Sequence, residues 1–130
     1  MKLLVVDDDP DFRGLITTGA PSWLSVIECA GSAEVIRLME EGWPGVDVAL
    51  IDVHLEPNLE AVGDLEGPAL VRWLHARDAR TPVILVSVDP LDRAVAASRP
   101  ASPIGFLRKP VNTSTFYGFL ESYRRLFSRR

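Results

Sequence analysis

The sequence has one cysteine, no low-complexity tract and no apolar run close to the about 20 residues that a membrane-spanning helix needs. A single cysteine excludes an internal disulfide, and the position of Cys29 after a β-type run indicates a small buried apolar side chain. The acidic residues that begin at Asp7 interrupt the N-terminal apolar run and make it too short for a signal peptide. We therefore expect a cytoplasmic protein that does not contact the membrane.

The net charge is small, but it is unevenly distributed along the chain. The 130 residues carry a net charge of -4 and are 47% apolar, which fits one domain over residues 1–130 and argues against direct binding to nucleic acid. Residues 1–66 have 3 basic and 14 acidic side chains (net -11), whereas residues 67–130 have 11 basic and 4 acidic ones (net +7). This asymmetry indicates an acidic site in the first half and a basic face in the second.

Short β-type runs alternate with helical patterns along the whole sequence. The predicted strands are residues 3–6, 25–28, 48–51, 83–86 and 105–107. Helices are predicted after Asp9-Pro10, after the candidate N-cap Ser32, after Gly67-Pro68, at residues 91–97, and after a cap at Thr113 or Ser114. This alternation predicts an α/β fold in which a five-stranded parallel sheet is covered by helices on both faces.

The last predicted helix has the clearest amphipathic pattern. Its apolar side chains recur on one side, which predicts that this side packs on the sheet: Phe116, Phe119, Leu120, Tyr123 and Phe127. Gly118 within this helix lowers its stability by about 1 kcal/mol relative to alanine. The three tryptophans, Trp23, Trp43 and Trp73, are predicted to be core or half-buried packing residues.

Polar residues follow three of the predicted strands at the point where each strand ends. Asp7, Asp8 and Asp9 follow the first strand, Asp52 follows the third, and Lys109-Pro110 follows the fifth. Parallel strands deliver their carboxyl ends to one edge of the sheet, so these groups can meet although about a hundred residues separate them in sequence. Such a pocket suits a divalent cation and a phosphoryl group. Taken alone, Asp7 and Asp8 could instead stabilise the start of the first helix.

The same residues, together with Ser87 after the fourth strand, resemble the receiver domain of two-component response regulators. The resemblance covers essentially the whole chain and is carried by four elements in order: Val5-Val6-Asp7-Asp8, Ile51-Asp52, Ser87 and Lys109-Pro110. Each element alone is common in proteins, but all four at strand ends are a specific combination. The resemblance implies a flavodoxin-like receiver fold with the strand order 2-1-3-4-5.

The resemblance also implies a role for each acidic residue. Asp52 is expected to accept a phosphoryl group from the phosphohistidine of a sensor histidine kinase or phosphotransfer protein, forming an aspartyl phosphate. Mg²⁺ is expected to be held by Asp8, by Asp7 directly or through water, by Asp52 and by the main-chain carbonyl of His54. Asp7 is the next candidate for the nucleophile. Beyond its own phosphorylation and the hydrolysis of its aspartyl phosphate, no enzymatic activity is expected.

Further residues are implied to bind the phosphoryl group and to transmit its arrival. Lys109 and the Ser87 hydroxyl are expected to contact the phosphoryl oxygens, and a cis peptide bond is expected before Pro110. Ser87 and Phe106 correspond to the switch pair of the family. The switch remodels the face formed by the fourth helix, fifth strand and fifth helix, which is the expected surface for a downstream protein partner. A monomer or a phosphorylation-dependent dimer fits this scheme.

Two departures from the family pattern keep other functions open. The segment between Asp52 and Gly67 is some seven residues longer than usual and strongly acidic at residues 56–66, and Pro57 is displaced by one position. We expect this loop either to repel anionic phosphodonors and select a basic partner, or to be a plain surface insertion. The alternatives are a receiver that binds proteins without being phosphorylated and a haloacid-dehalogenase-like phosphohydrolase, which Asp7-x-Asp9 imitates.

Overall fold

The computed structural model of the protein describes residues 1–55, 67–78, 81–89 and 103–127. These residues form five strands, β1 (Lys2–Val6), β2 (Ser25–Cys29), β3 (Val48–Asp52), β4 (Val83–Ser87) and β5 (Gly105–Arg108). They also form four helices, α1 (Pro10–Thr18), α2 (Ser32–Gly42), α3 (Gly67–Arg77) and α4 (Thr113–Phe127). None of the helices in these ranges is long and apolar enough to cross a membrane. The helix predicted at residues 91–97 lies outside the described residues.

The five strands form one parallel sheet. Its order is β2-β1-β3-β4-β5, which confirms both the predicted parallel sheet and the strand order implied by the family resemblance. The inner strands β3 and β4 are buried at every position, whereas the edge strands β2 and β5 are only partly buried. Burial on both faces explains why β3 and β4 read as continuous apolar runs rather than as alternating patterns.

Successive residues of each strand point to opposite faces of the sheet, so the core has two halves. Leu4, Val6 and Ile51 pack with α2 and α3 on one face, and Cys29 belongs to the same half. On the other face, strand residues pack with side chains of α1 and α4, among them Phe12, Ile16, Phe116 and Leu120. Among the described residues, two helices pack on each face, which confirms the layered arrangement predicted from the sequence.

Two helices, α2 and α4, begin with a cap other than the predicted one. The helix α1 begins at Pro10, as predicted, and Asp9 caps it, because its Oδ1 accepts a hydrogen bond from the amide of Asp11 at 2.9 Å. The predicted N-cap Ser32 is already the first residue of α2, and Gly31 precedes it. In α4 the cap is Asn112, whose Oδ1 accepts from the amide of Thr115 at 3.0 Å, instead of Thr113 or Ser114.

Cys29 and the three tryptophans have the predicted packing roles. Cys29 is 2% exposed and belongs to the core, and burial raises the pKa of its thiol to about 12. A thiol of this kind is a poor nucleophile at neutral pH, which fits a structural residue. Trp23, Trp43 and Trp73 are all half-buried and pack against the edges of the two core halves.

The apolar side of α4 is narrower than the sequence predicted. Phe116 is 2% exposed and Leu120 is fully buried, but Phe119 is 45% exposed, so the prediction that Phe119 packs on the sheet was wrong. The Phe119 ring lies 6.2 Å from the ring of Tyr123, centroid to centroid. The sheet therefore buries the Phe116 ring, whereas the Phe119 ring remains partly exposed to solvent.

Two matched phenylalanines on α4 test this division. We expect Phe116→Ala to lower the free energy of unfolding by about 3–5 kcal/mol, because it removes a fully packed ring and leaves a cavity. Phe119→Ala should lower it by about 1 kcal/mol or less, as for most partly exposed positions. Urea denaturation of both variants measures the difference, and equal losses would contradict the burial of the two rings.

Candidate functional site

Three carboxylates meet at the carboxyl edge of β1 and β3. The parallel register pairs Val6 with Ile51, so Asp7 and Asp8 follow β1 beside Asp52, the last residue of β3. One carboxylate oxygen from each of Asp7, Asp8 and Asp52 lies within 4.8 Å of the other two. Asp7 and Asp52 are buried, whereas Asp8 is exposed to solvent. The sheet thus brings the predicted acidic residues together, with one open side.

Asp7 is completely buried and is held at several atoms. Its amide donates to the carbonyl of Cys29 at 3.1 Å, which extends the ladder between β1 and β2 by one step. Its Oδ1 accepts from the amide of Asp9 at 2.9 Å, and its Oδ2 pairs with Lys109 Nζ at 2.7 Å. A buried carboxylate is tolerated when charged and polar partners of this kind replace its water.

Lys109 connects Asp7 with Asp52. Its Nζ lies 2.7 Å from Asp7 Oδ2 and 3.3 Å from Asp52 Oδ2, and it lies 4.5 Å from the centroid of the Phe12 ring. The main chain holds Lys109 in this place because its amide donates to the carbonyl of Ser87 at 2.8 Å, next to the end of β5. The peptide bond between Lys109 and Pro110 is cis.

Burial and charge act on the two members of this ion pair in different ways. Burial raises the pKa of Asp7, and the hydrogen bonds from Lys109 and from the amide of Asp9 offset this only in part. Burial alone would lower the pKa of Lys109, but its hydrogen bond to Asp7 and its attraction to Asp52 outweigh burial and raise it. Lys109 is therefore a fixed positive charge at neutral pH, and the site holds it between two acids.

The main chain around Asp52 is closely packed. The amide of His54 donates to Asp52 Oδ1 at 2.9 Å, and the amide of Val53 donates to the carbonyl of Val86 at 2.9 Å. Gly67, the first residue of α3, lies against the same backbone, since a Cβ placed on it would be 2.0 Å from the carbonyl oxygen of Asp52. Only glycine allows α3 to start this close to Asp52 without a shift of the backbone.

Ser87, His54 and Asp89 form a second polar group beside the carboxylates. Ser87 is buried at the end of β4, and its Oγ accepts from the amide of Asp89 at 3.0 Å. The ring nitrogen Nε2 of His54 contacts Asp89 Oδ2, which joins the segment after β3 to the segment after β4. The sequence predicted that Ser87 and the carbonyl of His54 lie at this edge, but it gave no sign that the His54 side chain pairs with Asp89.

Phe106 lies within β5, where it pairs in register with Leu85 of β4. It is half-buried in β5 and packs against the core half that contains α2 and α3. With Ile104 and Phe119 it also lines an apolar groove between β5 and α4. The predicted output face includes this groove, while its fourth-helix part and the acidic segment 56–66 with Pro57 lie outside the described residues.

Two residues of the site were not found from the sequence. Arg13 on α1 donates from NH1 to the carbonyl of Asp7 at 2.6 Å, and Gly67 makes the close approach to Asp52. The signals in the sequence are slight: an arginine one turn into a helix that follows an acidic run, and a glycine before a proline at a helix start. Neither pattern distinguishes a site residue from an ordinary helical one.

The donor set fits a hard divalent cation. All three side chains offer carboxylate oxygens, which Mg²⁺ prefers, and Asp8 faces solvent, from which water ligands can come. One oxygen of each carboxylate lies within 4.8 Å of the other two, so a single ion can reach all three once the side chains adjust.

Comparisons with known proteins agree with this site. A family model described as the response regulator receiver domain matches residues 3–120. The fold is similar to a CheY-like receiver domain protein from Methanospirillum hungatei JF-1, with a TM-score of 0.75, 21% identity, and coverage of 98% of this chain and 96% of that one. No similar sequence was found among curated proteins.

Two further solved structures share the fold. The receiver domain of the Francisella response regulator 1452 has a TM-score of 0.76 at 23% identity, covering 96% of this chain and 98% of that one. A response regulator from Burkholderia pseudomallei, with a phosphorylated aspartic acid, a calcium ion and citrate, has a TM-score of 0.72 at 19% identity, covering 90% of this chain and 64% of that one.

The contact of Gly67 with Asp52 gives a test of the site's packing. We expect Gly67→Ala to lower the free energy of unfolding by at least about 2 kcal/mol, because overpacking costs about 1–3 kcal/mol and the atom that the new methyl meets is main chain. Gly118→Ala is the matched control. Gly118 is exposed within α4 with open space around it, so alanine there should stabilise the protein by up to about 1 kcal/mol. Urea denaturation that gave both changes the same sign would contradict the close approach.

Proposed function

The chain belongs to the response regulator receiver domain family, and from this membership we propose that a histidine kinase or a phosphotransfer protein phosphorylates it on Asp52. The observation that carries the proposal is the position of Asp52 at the sheet edge, with Lys109 Nζ 3.3 Å from one of its oxygens and two further acids beside it. A lone buried acid has no such neighbours. Here the Asp52 carboxylate has the positive charge of Lys109 on one side. On the other side lies Asp8, which is exposed to solvent.

The proposed reaction is a phosphoryl transfer to a carboxylate. An oxygen of Asp52 forms a bond to phosphorus while the bond from phosphorus to the donor's imidazole nitrogen breaks, and that nitrogen keeps the electron pair. Negative charge gathers on the phosphoryl oxygens during this exchange. Lys109 is already aimed at the Asp52 carboxylate, so it can bind one of these oxygens after a short movement of its ammonium group.

Mg²⁺ fits the remaining side of the site. Asp8, Asp52 and the carbonyl of His54 would hold the ion, and Asp7 would contribute directly or through water. A bound Mg²⁺ supplies Lewis-acid neutralisation of the phosphoryl oxygens. The phosphorylated aspartic acid and calcium ion in the Burkholderia pseudomallei response regulator support this assignment, since an aspartyl phosphate and a divalent cation occur together in a structure with the same fold.

The proposed output of phosphorylation is a change in protein binding. Ser87 moves toward the phosphoryl group and gives up its contact with the amide of Asp89, and the Phe106 ring then turns inward. A downstream protein then binds the face made by the fourth helix, β5 and α4, either to a monomer or to a phosphorylation-dependent dimer. In this scheme the chain acts in the cytoplasm and has no catalytic activity on other molecules.

A phosphohydrolase of the haloacid dehalogenase class is disfavoured. That class needs a further acidic pair after its lysine, and Glu121 is the only acidic residue in the sequence after Lys109. Glu121 Oε1 forms a surface ion pair at 2.8 Å with Arg125 on α4, four residues along the same helix. It therefore has a local partner on the helix surface and does not serve the site.

Labelling with a small phosphodonor tests the proposed nucleophile. Incubation with Mg²⁺ and acetyl phosphate or phosphoramidate should add one phosphoryl group to the protein, and Asp52→Asn should abolish the addition, because an amide cannot act as the attacking carboxylate. Intact-mass spectrometry measures the result. Asp47→Asn is the control, because Asp47 is an exposed aspartate that precedes β3 and should label like the wild type.

The other outcomes separate the alternatives. Undiminished labelling of Asp52→Asn would place the nucleophile elsewhere, with Asp7 the next candidate. No labelling of the wild type by either donor or by a phosphorylated kinase would favour a receiver that binds its partner without phosphorylation.

We infer that the pair of His54 and Asp89 borders the path of the water that hydrolyses an aspartyl phosphate. The amide of His54 binds Asp52 Oδ1, and Asp89 is two residues after Ser87, so the two side chains close one side of the sheet edge between β3 and β4. His54 and Asp89 are themselves partly exposed, with side-chain exposures of 52% and 34%. An exposed pair contributes little to stability, so an effect on the site can be measured without unfolding the protein.

Breaking this pair should shorten the lifetime of the phosphorylated protein. We expect His54→Ala and Asp89→Ala each to speed hydrolysis at least about threefold, a change of about 0.65 kcal/mol in the barrier, while lowering stability by less than about 0.5 kcal/mol. Loss of the phosphorylated mass over time gives the rate, and urea denaturation gives the stability. Glu121→Ala, which removes an exposed ion pair on α4, should leave the lifetime unchanged, and unchanged lifetimes in all three variants would exclude a role for the pair.

A further inference from the structure

We propose that Arg13 is a positioning residue that fixes the peptide between Asp7 and Asp8 and so places the Asp8 carboxylate for cation binding. The inference rests on the proposed function for the identity of the cation. Arg13 lies on α1, and its side chain is 18% exposed. Its NH1 donates to the main-chain carbonyl of Asp7 at 2.6 Å, and the amide on the other end of that peptide bond belongs to Asp8.

Arg13 is itself held in place from two elements. Its Nε lies 3.4 Å from Glu28 Oε1, and Glu28 Oε2 accepts a hydrogen bond at 2.9 Å from the hydroxyl of Thr17. Glu28 is on β2, and Thr17 lies one turn after Arg13 on α1. The guanidinium group therefore occupies a fixed place between the first helix and the edge strand of the sheet.

The carbonyl of Asp7 needs such a donor. Asp7 is completely buried, and a buried main-chain carbonyl without a partner costs about 1–3 kcal/mol. The other polar atoms of Asp7 have different partners: its amide binds Cys29, and its carboxylate binds the Asp9 amide and Lys109. These contacts hold the amide and the side chain of Asp7. The hydrogen bond from Arg13 NH1 then fixes the orientation of the peptide group between Asp7 and Asp8.

The orientation of this peptide decides where Asp8 lies. Asp8 is exposed, whereas Asp7 and Asp52 are buried and held by contacts with their neighbours. A rotation of the peptide before Asp8 would carry its carboxylate away from the other two. Arg13 therefore acts on the one acidic residue of the site whose place depends on the following loop rather than on the sheet.

Charge and position predict opposite effects when Arg13 is removed. By charge alone, loss of a cation near three carboxylates would strengthen the binding of Mg²⁺. By position, loss of the donor would release the Asp7–Asp8 peptide and weaken binding, as for partners that orient metal ligands in other proteins. Glu28 neutralises much of the Arg13 charge, so we expect the positional effect to dominate.

The test is a calorimetric titration with Mg²⁺ of folded wild-type and variant proteins. We expect Arg13→Met to raise the Mg²⁺ dissociation constant at least about tenfold, the lower end of the effects of such orienting partners. Asp8→Ala sets the scale for complete loss of the ligand. Arg125→Met is the matched control, because it removes another arginine that pairs with a glutamate, in the last turn of α4, and should bind like the wild type.

A second variant and a measurement without metal test the positioning role of Arg13 independently. Arg13→Lys keeps the charge but not the planar donor group, so it should also bind Mg²⁺ more weakly than the wild type, and it replaces Arg13→Met if that variant does not fold. Without metal, the amide of Asp9, which donates to Asp7 Oδ1, should exchange its hydrogen faster in Arg13→Met, relative to the core amide of Leu50.

Three results would overturn either the role of Arg13 or the proposed metal site. Equal or tighter Mg²⁺ binding by Arg13→Met and Arg13→Lys overturns the positioning role of Arg13. Absence of Mg²⁺ binding by the wild type instead overturns the proposed metal site. In that case the exchange of the Asp9 amide still decides the inference, because an unchanged relative rate in Arg13→Met would show that Arg13 does not hold the loop.

Discussion

The rest of the site depends on the ammonium group of Lys109, which lies between two buried carboxylates. Asp7 is fully buried and Asp52 is 7% exposed, and two such charges side by side repel each other and lose the solvation of water. Lys109 Nζ contacts both, at 2.7 Å and 3.3 Å, and its pKa is raised by these acids. One positive charge cannot neutralise three carboxylates, so the site keeps a negative excess on the side of Asp8. A divalent cation is the natural complement of that excess.

The main chain, more than the side chains, sets this geometry. The sheet ladders run one residue past the strands: the amide of Asp7 binds Cys29, and the amide of Lys109 binds Ser87. The parallel register therefore fixes the backbone positions of Asp7 and Lys109, and their side chains meet between the two strand ends. Gly67, the first residue of α3, packs closely against the backbone of Asp52. Main-chain contacts of this kind do not depend on the identity of surface side chains, and this chain shares its fold with receiver domains that are 21% and 23% identical to it.

The sequence was sufficient to predict the features that depend on a local residue pattern. It predicted poorly those that depend on contacts between segments distant in sequence. The alternation of strand and helix patterns predicted the parallel sheet, and the acidic residues at strand ends predicted which side chains meet. The cap Asn112 was missed because the neighbouring Thr113 and Ser114 have similar capping ability in isolation. Phe119 was misplaced because a helical wheel does not show how wide a stripe the sheet covers. The pairing of His54 with Asp89 joins segments 35 residues apart, and no periodicity encodes that contact.

Both oxygens of Asp52 already have partners, and this limits how the carboxylate can react. Oδ1 accepts from the amide of His54 at 2.9 Å, and Oδ2 lies 3.3 Å from Lys109. The first contact is a main-chain hydrogen bond, and the second is longer and made by a flexible side chain. Lys109 also keeps a shorter contact with Asp7, so it can leave Oδ2 without losing its anchor. We infer that Oδ2 is the attacking oxygen and that Lys109 moves from it onto the incoming phosphoryl group while Asp7 holds it in place. In this scheme the buried Asp7 serves the proposed reaction by keeping Lys109 at the site.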